Sequence, residues 1–207
     1  MITLQVNNIS KSYNQQTVFN EVSLFASEKY SLAITGKNGS GKSTLLKIIA
    51  KLVTPTVGSV LFFENEFQIF PNKLNSKLSF VAPYLFLYEE LTAIEHLTLI
   101  QKLKRISNNI LAIELLKKFS LIESKHKKVG SFSSGMLQRL KYCIALVSKP
   151  KILLLDEPTS NLDHEGEIII YDLLKAAKKN NTLLIYTTNH KSELKYADDV
   201  IDLNKLK

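Results

Sequence analysis

The sequence predicts an α/β fold: a core of mainly parallel sheet, an antiparallel β part at the N-terminus and a helical insertion in the middle. Three observations predict it. Residues 1 to 65 are patterned as strands. The stretch from Leu91 to Ser148 is patterned mainly as helix. The end of the chain carries short, wholly apolar runs of the kind buried on both faces of a parallel sheet.

Taken in order, Ile2-Thr3-Leu4-Gln5-Val6 alternates apolar and polar residues. Val18 to Phe25 is apolar-rich, and Ser31 to Thr35 is a short apolar run ending at a glycine. Ser43 to Val53 has helical spacing, with Leu45, Leu46, Ile48, Ile49, Leu52 and Val53 on one face and Thr54-Pro55 as the stop. Gly58 to Phe63 and Leu78 to Val81 read as strands, the second closed by Pro83. From Leu91 to about Leu121 the period is helical, with Leu97, Ile100, Leu103, Ile110, Ile113, Leu116 and Leu121 apolar, and Ser134 to Ser148 is a further helix. Ile152-Leu153-Leu154-Leu155 and Leu183 to Thr187 read as buried parallel strands, and Val200 to Leu203 as a short third. No repeat or low-complexity linker interrupts the chain. It therefore reads as one unit, residues 1–207, with an αβ core in two pieces, 1–83 and 150–207, around a helical insertion, 84–149.

Composition sets limits. The 207 residues are 45% hydrophobic and 22% charged, which suits one packed domain rather than a disordered chain. The single cysteine, Cys143, excludes an internal disulfide framework and a multi-cysteine metal site, and points to a reduced, cytoplasmic compartment. No run approaches the ~18 apolar residues of a membrane span, and the N-terminus lacks a signal-peptide layout. Any membrane role is therefore expected to run through a partner. The net charge is +8, almost all from lysine, since Arg105 and Arg139 are the only arginines. The basic run Lys125-His126-Lys127-Lys128 has no interleaved aromatics. This composition reads as a solvated lysine-rich face rather than a nucleic-acid surface.

Gly36-Lys37-Asn38-Gly39-Ser40-Gly41-Lys42-Ser43 satisfies G-x-x-x-x-G-K-[ST] between a predicted strand and a predicted helix, the context this pattern requires. Glycines let successive backbone N–H groups turn into one anion-sized nest, and the following helix adds the positive end of its dipole. Lys42 is expected to reach the β and γ phosphates of ATP, and the Ser43 hydroxyl to ligate Mg²⁺. The nucleotide-contacting set runs from Gly36 through Thr44. Asp156 and Glu157 follow the Ile152–Leu155 run, at the edge where open α/β sheets bind ligands. Adjacent residues of a strand point to opposite sides, so the two acids are expected to differ in task. Asp156 would hold Mg²⁺, and Glu157 would orient or deprotonate the attacking water.

On these residues the chain resembles the ATP-binding cassettes of ABC transporters, over Leu4 to Leu203. Ile152 to Pro158 looks like the family's second nucleotide motif, Thr159-Ser160-Asn161-Leu162-Asp163 like its D-loop, and Phe132-Ser133-Ser134-Gly135-Met136 like its LSGGQ signature. The resemblance implies a P-loop NTPase core with an N-terminal antiparallel subdomain and a helical insertion carrying the signature. It implies ATP hydrolysis with Mg²⁺ and head-to-tail pairing with a second cassette. Ser133 and Gly135 would complete the partner's ATP site, with Asp163 of the D-loop beside it. Tyr13 would stack on adenine. Docking on separate transmembrane permease subunits would use roughly Tyr84 to Leu97 and hold the chain at the inner face of the cell membrane.

The sequence departs from the family at three places. Ser134 and Met136 replace a glycine and a glutamine of the signature. Pro83, followed by Tyr84, stands where the family has a glutamine, so a substitute is expected, either water or Tyr84. The γ-phosphate contact falls on Asn189 by strand register, or on His190 one step later, and the reading leans to His190. His96, His126 and His164 read as surface or packing residues. A non-transport ABC ATPase, linked to nucleic acid or to assembly, and a weakly hydrolysing nucleotide-gated module are the alternatives. The cargo is not encoded in this chain.

Overall fold

The computed structural model describes residues 1–106 and 108–206, and it contains two sheets. The first is antiparallel and lies at the N-terminus: β1 (Ile2–Tyr13), β2 (Gln16–Ser27), β4 (Val57–Glu64) and β5 (Phe67–Gln68) pair in the order β2-β1-β4-β5. Strand β1 buries Ile2, Leu4 and Val6 by simple alternation, and then Ile9. That odd step has a local cause. Asn8 sits at φ 45°, and the β1–β2 register shifts between Val6 and Ile9, so one extra residue restores the inward face.

The second sheet is parallel throughout. It orders β6 (Leu78–Val81), β7 (Ile152–Asp156), β8 (Leu183–Thr187), β3 (Ser31–Thr35) and β9 (Asp199–Asp202) as β6-β7-β8-β3-β9. Its two faces carry separate cores. Ile152, Leu154, Leu183 and Ile185 face the antiparallel sheet and helix α1 (Lys42–Ile49). Leu153, Leu155, Leu184 and Tyr186 face the helical insertion. Every residue of β7 and β8 is thereby buried, which is why neither strand alternates in sequence.

Several boundaries differ from the sequence reading. Helix α1 ends at Ile49 rather than at Thr54-Pro55, because Lys51 turns to φ 62°. Leu52, read as part of the buried face, is instead 62% exposed. The single helical stretch from Leu91 to Leu121 is two helices. After α2 (Pro71–Lys77), absent from the sequence reading, comes α3 (Ala93–Leu103), whose Thr92 and Glu95 form a reciprocal capping box. Then α4 (Asn109–Lys118) begins at an Asn108 side-chain cap. Arg105 at φ 55° turns the chain between them, which leaves Leu103 and Ile110 solvent-facing. Helix α5 (Ser134–Leu146) completes the insertion. Leu97, Leu116, Phe119, Leu140, Tyr142 and Cys143 belong to its core.

Helices α6 (His164–Lys179) and α7 (Lys191–Leu194), also absent from the sequence reading, follow β7 and β8. No helix among the described residues is long and apolar enough to cross a membrane.

Candidate functional site

Strands β3, β7 and β8 are neighbours or next neighbours in the parallel sheet, and the segments leaving their carboxyl ends meet in one place. The loop Gly36–Gly41 leaves β3 and opens into α1. Gly41 sits at φ +100° against strand β2, where an added Cβ would lie 2.6 Å from Val18 Cγ1 and 2.9 Å from Phe19 Cδ1. Only glycine fits that conformation and that approach. Gly39, at φ +78°, has nothing within 4 Å of its Cβ position, so its open side faces free space. That space is a cavity of about 370 Å³ lined by Val18, Asn38, Gly39 and Gly41 to Thr44, with Glu157 across from them. Ser40 packs inward, 2% exposed, below Gly36.

The Lys42 ammonium is folded under its own loop, donating to the Gly36 carbonyl at 2.9 Å and the Lys37 carbonyl at 3.3 Å. Its partners are neutral carbonyls, so the positive charge is available to an anion in the cavity.

Asp156 is 2% exposed. Its Oδ1 accepts from the Ser43 hydroxyl at 3.0 Å and from the Thr187 hydroxyl at 2.5 Å. No ammonium or guanidinium among the described residues pairs with it. A buried carboxylate served by hydroxyls, with no cation beside it, fits a small hard divalent cation of the Mg²⁺ kind, since all its neighbours are oxygen donors.

Glu157 lies beyond the end of β7, so strand alternation does not orient it, contrary to the expectation from sequence. Its backbone is left-handed, at φ 46°, and its N–H donates to Thr187 O at 3.2 Å and Thr187 Oγ1 at 3.1 Å. With this uncommon conformation for a non-glycine residue Glu157 lines the cavity, while Asp156 meets the phosphate-loop side through Ser43.

After β8 the chain presents Asn189 to the loop: its Nδ2 donates to Asn38 Oδ1 at 2.7 Å. His190 is exposed, and its backbone N–H donates to Thr188 Oγ1 at 2.9 Å as α7 begins. The geometry thus brings Asn189, rather than His190, onto the phosphate loop. Tyr13, 49% exposed at the end of β1, presents its ring to solvent with Lys11 Nζ 4.6 Å from its centroid.

Ser133, Gly135 and Asp163 gather elsewhere. The Ser133 hydroxyl accepts from Met136 N at 3.3 Å and caps α5. A Cβ on Gly135 would lie 3.3 Å from the Asn161 carbonyl. Asp163 Oδ1 accepts from Arg139 at 2.5 Å and from Gly166 N at 2.9 Å. The Arg139 hydrogen bond, followed by that from Gly166, holds the Asp163 carboxyl below its usual range. None of these three residues lines the phosphate-loop cavity.

Two further features border the site. Tyr84 follows Pro83 past the end of β6. Burial, then the nearby Asp156 charge, pushes its phenol pKa up, and Lys47 Nζ lies 4.1 Å from its ring centroid. On the far side of the same segment is an apolar groove of about 340 Å³ between β6, α3 and α5, whose lining includes Leu85 to Tyr88, Ile100 and Lys141. Phe86 there is 97% exposed. His96 is a packing residue: it is 3% exposed, and its ring nitrogens bond Tyr88 N and Thr92 O, each at 3.0 Å. No sequence pattern points to Thr187 or Lys47. Only strand register, which sets Asp156 opposite Thr187, reveals the first.

Residues 19–160 match the family model described as "ABC transporter". The lipoprotein-releasing system ATP-binding protein LolD of Rickettsia bellii is 37% identical over 213 residues, covering 99% of this chain and 95% of that protein. The lantibiotic transport ATP-binding protein SrtF of Streptococcus pyogenes is 31% identical over 198 residues, 96% of this chain and 85% of that protein. The uncharacterized ABC transporter ATP-binding protein YxlF of Bacillus subtilis is 34% identical over 188 residues; the match takes in 89% of this chain but spans only 62% of YxlF. Among solved structures, the dimeric post-hydrolysis state of the ATP-binding cassette MJ0796 bound to ADP and Pi superposes with a TM-score of 0.82 at 28% identity, covering 96% of this chain and 93% of that one.

Proposed function

The chain belongs to the ABC transporter family of ATP-binding proteins, and from that premise we propose that it is the Mg-ATP-hydrolysing motor of a transporter whose membrane-spanning part is supplied by other subunits. One observation supports the site assignment above the others. The loop after β3 and Glu157 line one cavity at the carboxyl edge of the sheet, and Asp156 at the end of β7 and Asn189 after β8 join it through hydrogen bonds with its lining residues Ser43 and Asn38.

In this reading Lys42 exchanges the Gly36 and Lys37 carbonyls for the β and γ phosphoryl oxygens, while the loop amides and the start of α1 cradle the rest. Ser43 and Asp156 would hold Mg²⁺, which supplies charge neutralisation at the β and γ oxygens. Glu157 orients a water on the far side of the γ phosphorus. As the new P–O bond forms, the bond to the β-phosphate oxygen breaks, ADP departs, and the water's proton passes to the Glu157 carboxylate. Asn189 Nδ2 is placed to donate to a γ-phosphate oxygen in place of Asn38. Ser133, Gly135 and Asp163 lie outside the cavity, so they would serve the ATP site of a second cassette across a head-to-tail interface. The apolar groove and the exposed Phe86 suit a short helix of a permease subunit, which would hold the chain at the cytoplasmic face of the membrane. LolD and SrtF are described with lipoprotein and lantibiotic systems respectively, so similar cassettes serve different cargoes. The cargo here would be set by the membrane subunits.

Phosphate release by the purified chain tests the reading. It is expected to be Mg²⁺-dependent, slow in the isolated subunit and abolished in Lys42→Ala. Metal-independent release, or release that survives Lys42→Ala, would refute it.

A further inference from the structure

Glu157 keeps a left-handed backbone that few non-glycine residues adopt, and such a conformation persists only where its neighbours hold it. Thr187 holds its N–H. The two residues that follow are held from two other elements. The Pro158 carbonyl accepts from the Tyr142 hydroxyl at 2.6 Å. The Thr159 hydroxyl donates to Glu193 Oε1 at 2.5 Å. Tyr142 lies on α5 and Glu193 on α7, so the helical insertion and the segment after β8 both grip the turn. Ser160 N closes it from within, donating to the Glu157 carbonyl at 3.0 Å.

Both grips use polar groups buried where packing alone does not require them. Tyr142 and Glu193 are fully buried. The Tyr142 ring stacks on Phe119, with centroids 5.8 Å apart and planes 3° apart, which fixes where its hydroxyl ends. Phenylalanine would fill that place in the core without a hydroxyl to satisfy. The Glu193 carboxyl has Thr159 as its one hydrogen-bond partner among the described residues, since Oε2 has none. A leucine there would avoid the cost of taking a carboxyl out of water. What both groups hold is the pair of residues after Glu157. We propose that Tyr142 and Glu193 are positioning residues for hydrolysis, which fix the turn from Glu157 to Thr159 and so keep the Glu157 carboxylate on the cavity. The inference rests on the reading of Glu157 as the residue that orients and deprotonates the attacking water.

The test compares the full chain with Tyr142→Phe, Glu193→Leu and Glu193→Gln, by phosphate release from Mg-ATP and by ATP binding in EDTA. In Tyr142→Phe and Glu193→Leu, kcat should fall about tenfold, as for a small misplacement of a reacting group. The KM for Mg-ATP and the ATP affinity in EDTA should stay within about twofold of wild type, because the phosphate loop is untouched. Glu193→Gln keeps an oxygen that can accept from Thr159, so its turnover should match wild type. In a Glu157→Gln background, where the proton acceptor is gone, Tyr142→Phe should lower the residual single-turnover rate no further. A general loss of structure would lower it again and would weaken ATP binding.

Wild-type kcat in Tyr142→Phe overturns the inference, and so does a loss that is equally large in the Glu157→Gln background. A loss carried by ATP affinity rather than by kcat overturns it as well. If Glu193→Leu folds poorly, Thr159→Val breaks the same bond from its other end, and wild-type turnover in that variant overturns the inference equally. A Glu157→Gln chain that hydrolyses ATP at the wild-type rate overturns the reading of Glu157 itself. A Glu157→Gln chain that is inactive, beside a Tyr142→Phe chain that matches wild type, overturns this inference alone.

Discussion

Thr187→Val isolates the support beneath the two acids. Thr187 is fully buried at the end of β8, and its hydroxyl has two tasks. It donates to Asp156 Oδ1 at 2.5 Å and accepts from Glu157 N at 3.1 Å. Valine has nearly the same shape, so little cavity opens. The Glu157 N–H keeps the Thr187 carbonyl at 3.2 Å and is not orphaned. What is lost is the hydroxyl's bond from Glu157 N and one hydroxyl–carboxylate bond at an acid whose other hydroxyl donor is Ser43. Bonds to charged groups contribute about 1.5–3 kcal/mol. The expected destabilisation is therefore about 2 kcal/mol, which for a chain of this size lowers the melting midpoint by roughly 4–8 °C.

Hydrolysis should fall about tenfold or more, because Asp156 and the left-handed Glu157 both lose an orienting contact. Nucleotide binding in EDTA should hold, since the phosphate loop is untouched. Calorimetry and phosphate release on Thr187→Val and Thr187→Ser read these together, and the serine variant, which keeps the hydroxyl, should stay near wild type in activity. A valine variant with wild-type melting and turnover would refute the reasoning, because Ser43 alone would then suffice to orient Asp156.

Glu157→Gln keeps the side chain's shape but removes the proton acceptor. It should cut turnover at least 100-fold and let ATP accumulate a dimer, visible by light scattering; only monomer with ATP would count against head-to-tail pairing. Asp163 has a folded pKa held below its ordinary 3.8 by Arg139, so its contribution to stability is present above that value and drains away as pH falls through the depressed one. Asp163→Asn should flatten that acid limb of the stability curve measured by denaturation across pH. Cys143 is fully buried, with burial pushing its thiol pKa up, so thiol reagents should label it only at the rate of unfolding.

The parts legible in the sequence are those where one local rule decides. The run Ile152–Leu155 can be so uniformly apolar only because both faces of β7 are covered, and the phosphate loop announces itself through glycines whose backbone angles few other residues share. Where two rules compete, the sequence misleads. Apolar spacing continues through Leu103 and Ile110, so the break at Arg105 between α3 and α4 is invisible to periodicity. Helix α6 does carry a periodic signal, since Ile170, Leu173, Leu174 and Ala177 recur at helical spacing.

The site's second layer is illegible for a different reason. That Thr187 opposes Asp156 depends on how two strands far apart in the chain align. That Glu157 faces the cavity depends on a backbone turn that the Asp-Glu pair does not encode. Asn189 and His190 are separable only once Asn189 is seen bonded to Asn38.

Lys141 has one end in each of two places. Its side chain forms part of the groove wall, and its ammonium holds the Pro83 carbonyl that carries Tyr84. It is a strut rather than a filler. A body seated in the groove would touch the same side chain that holds the Pro83 carbonyl in the turn after β6. The wall of the groove and the turn that leaves β6 thus share one side chain.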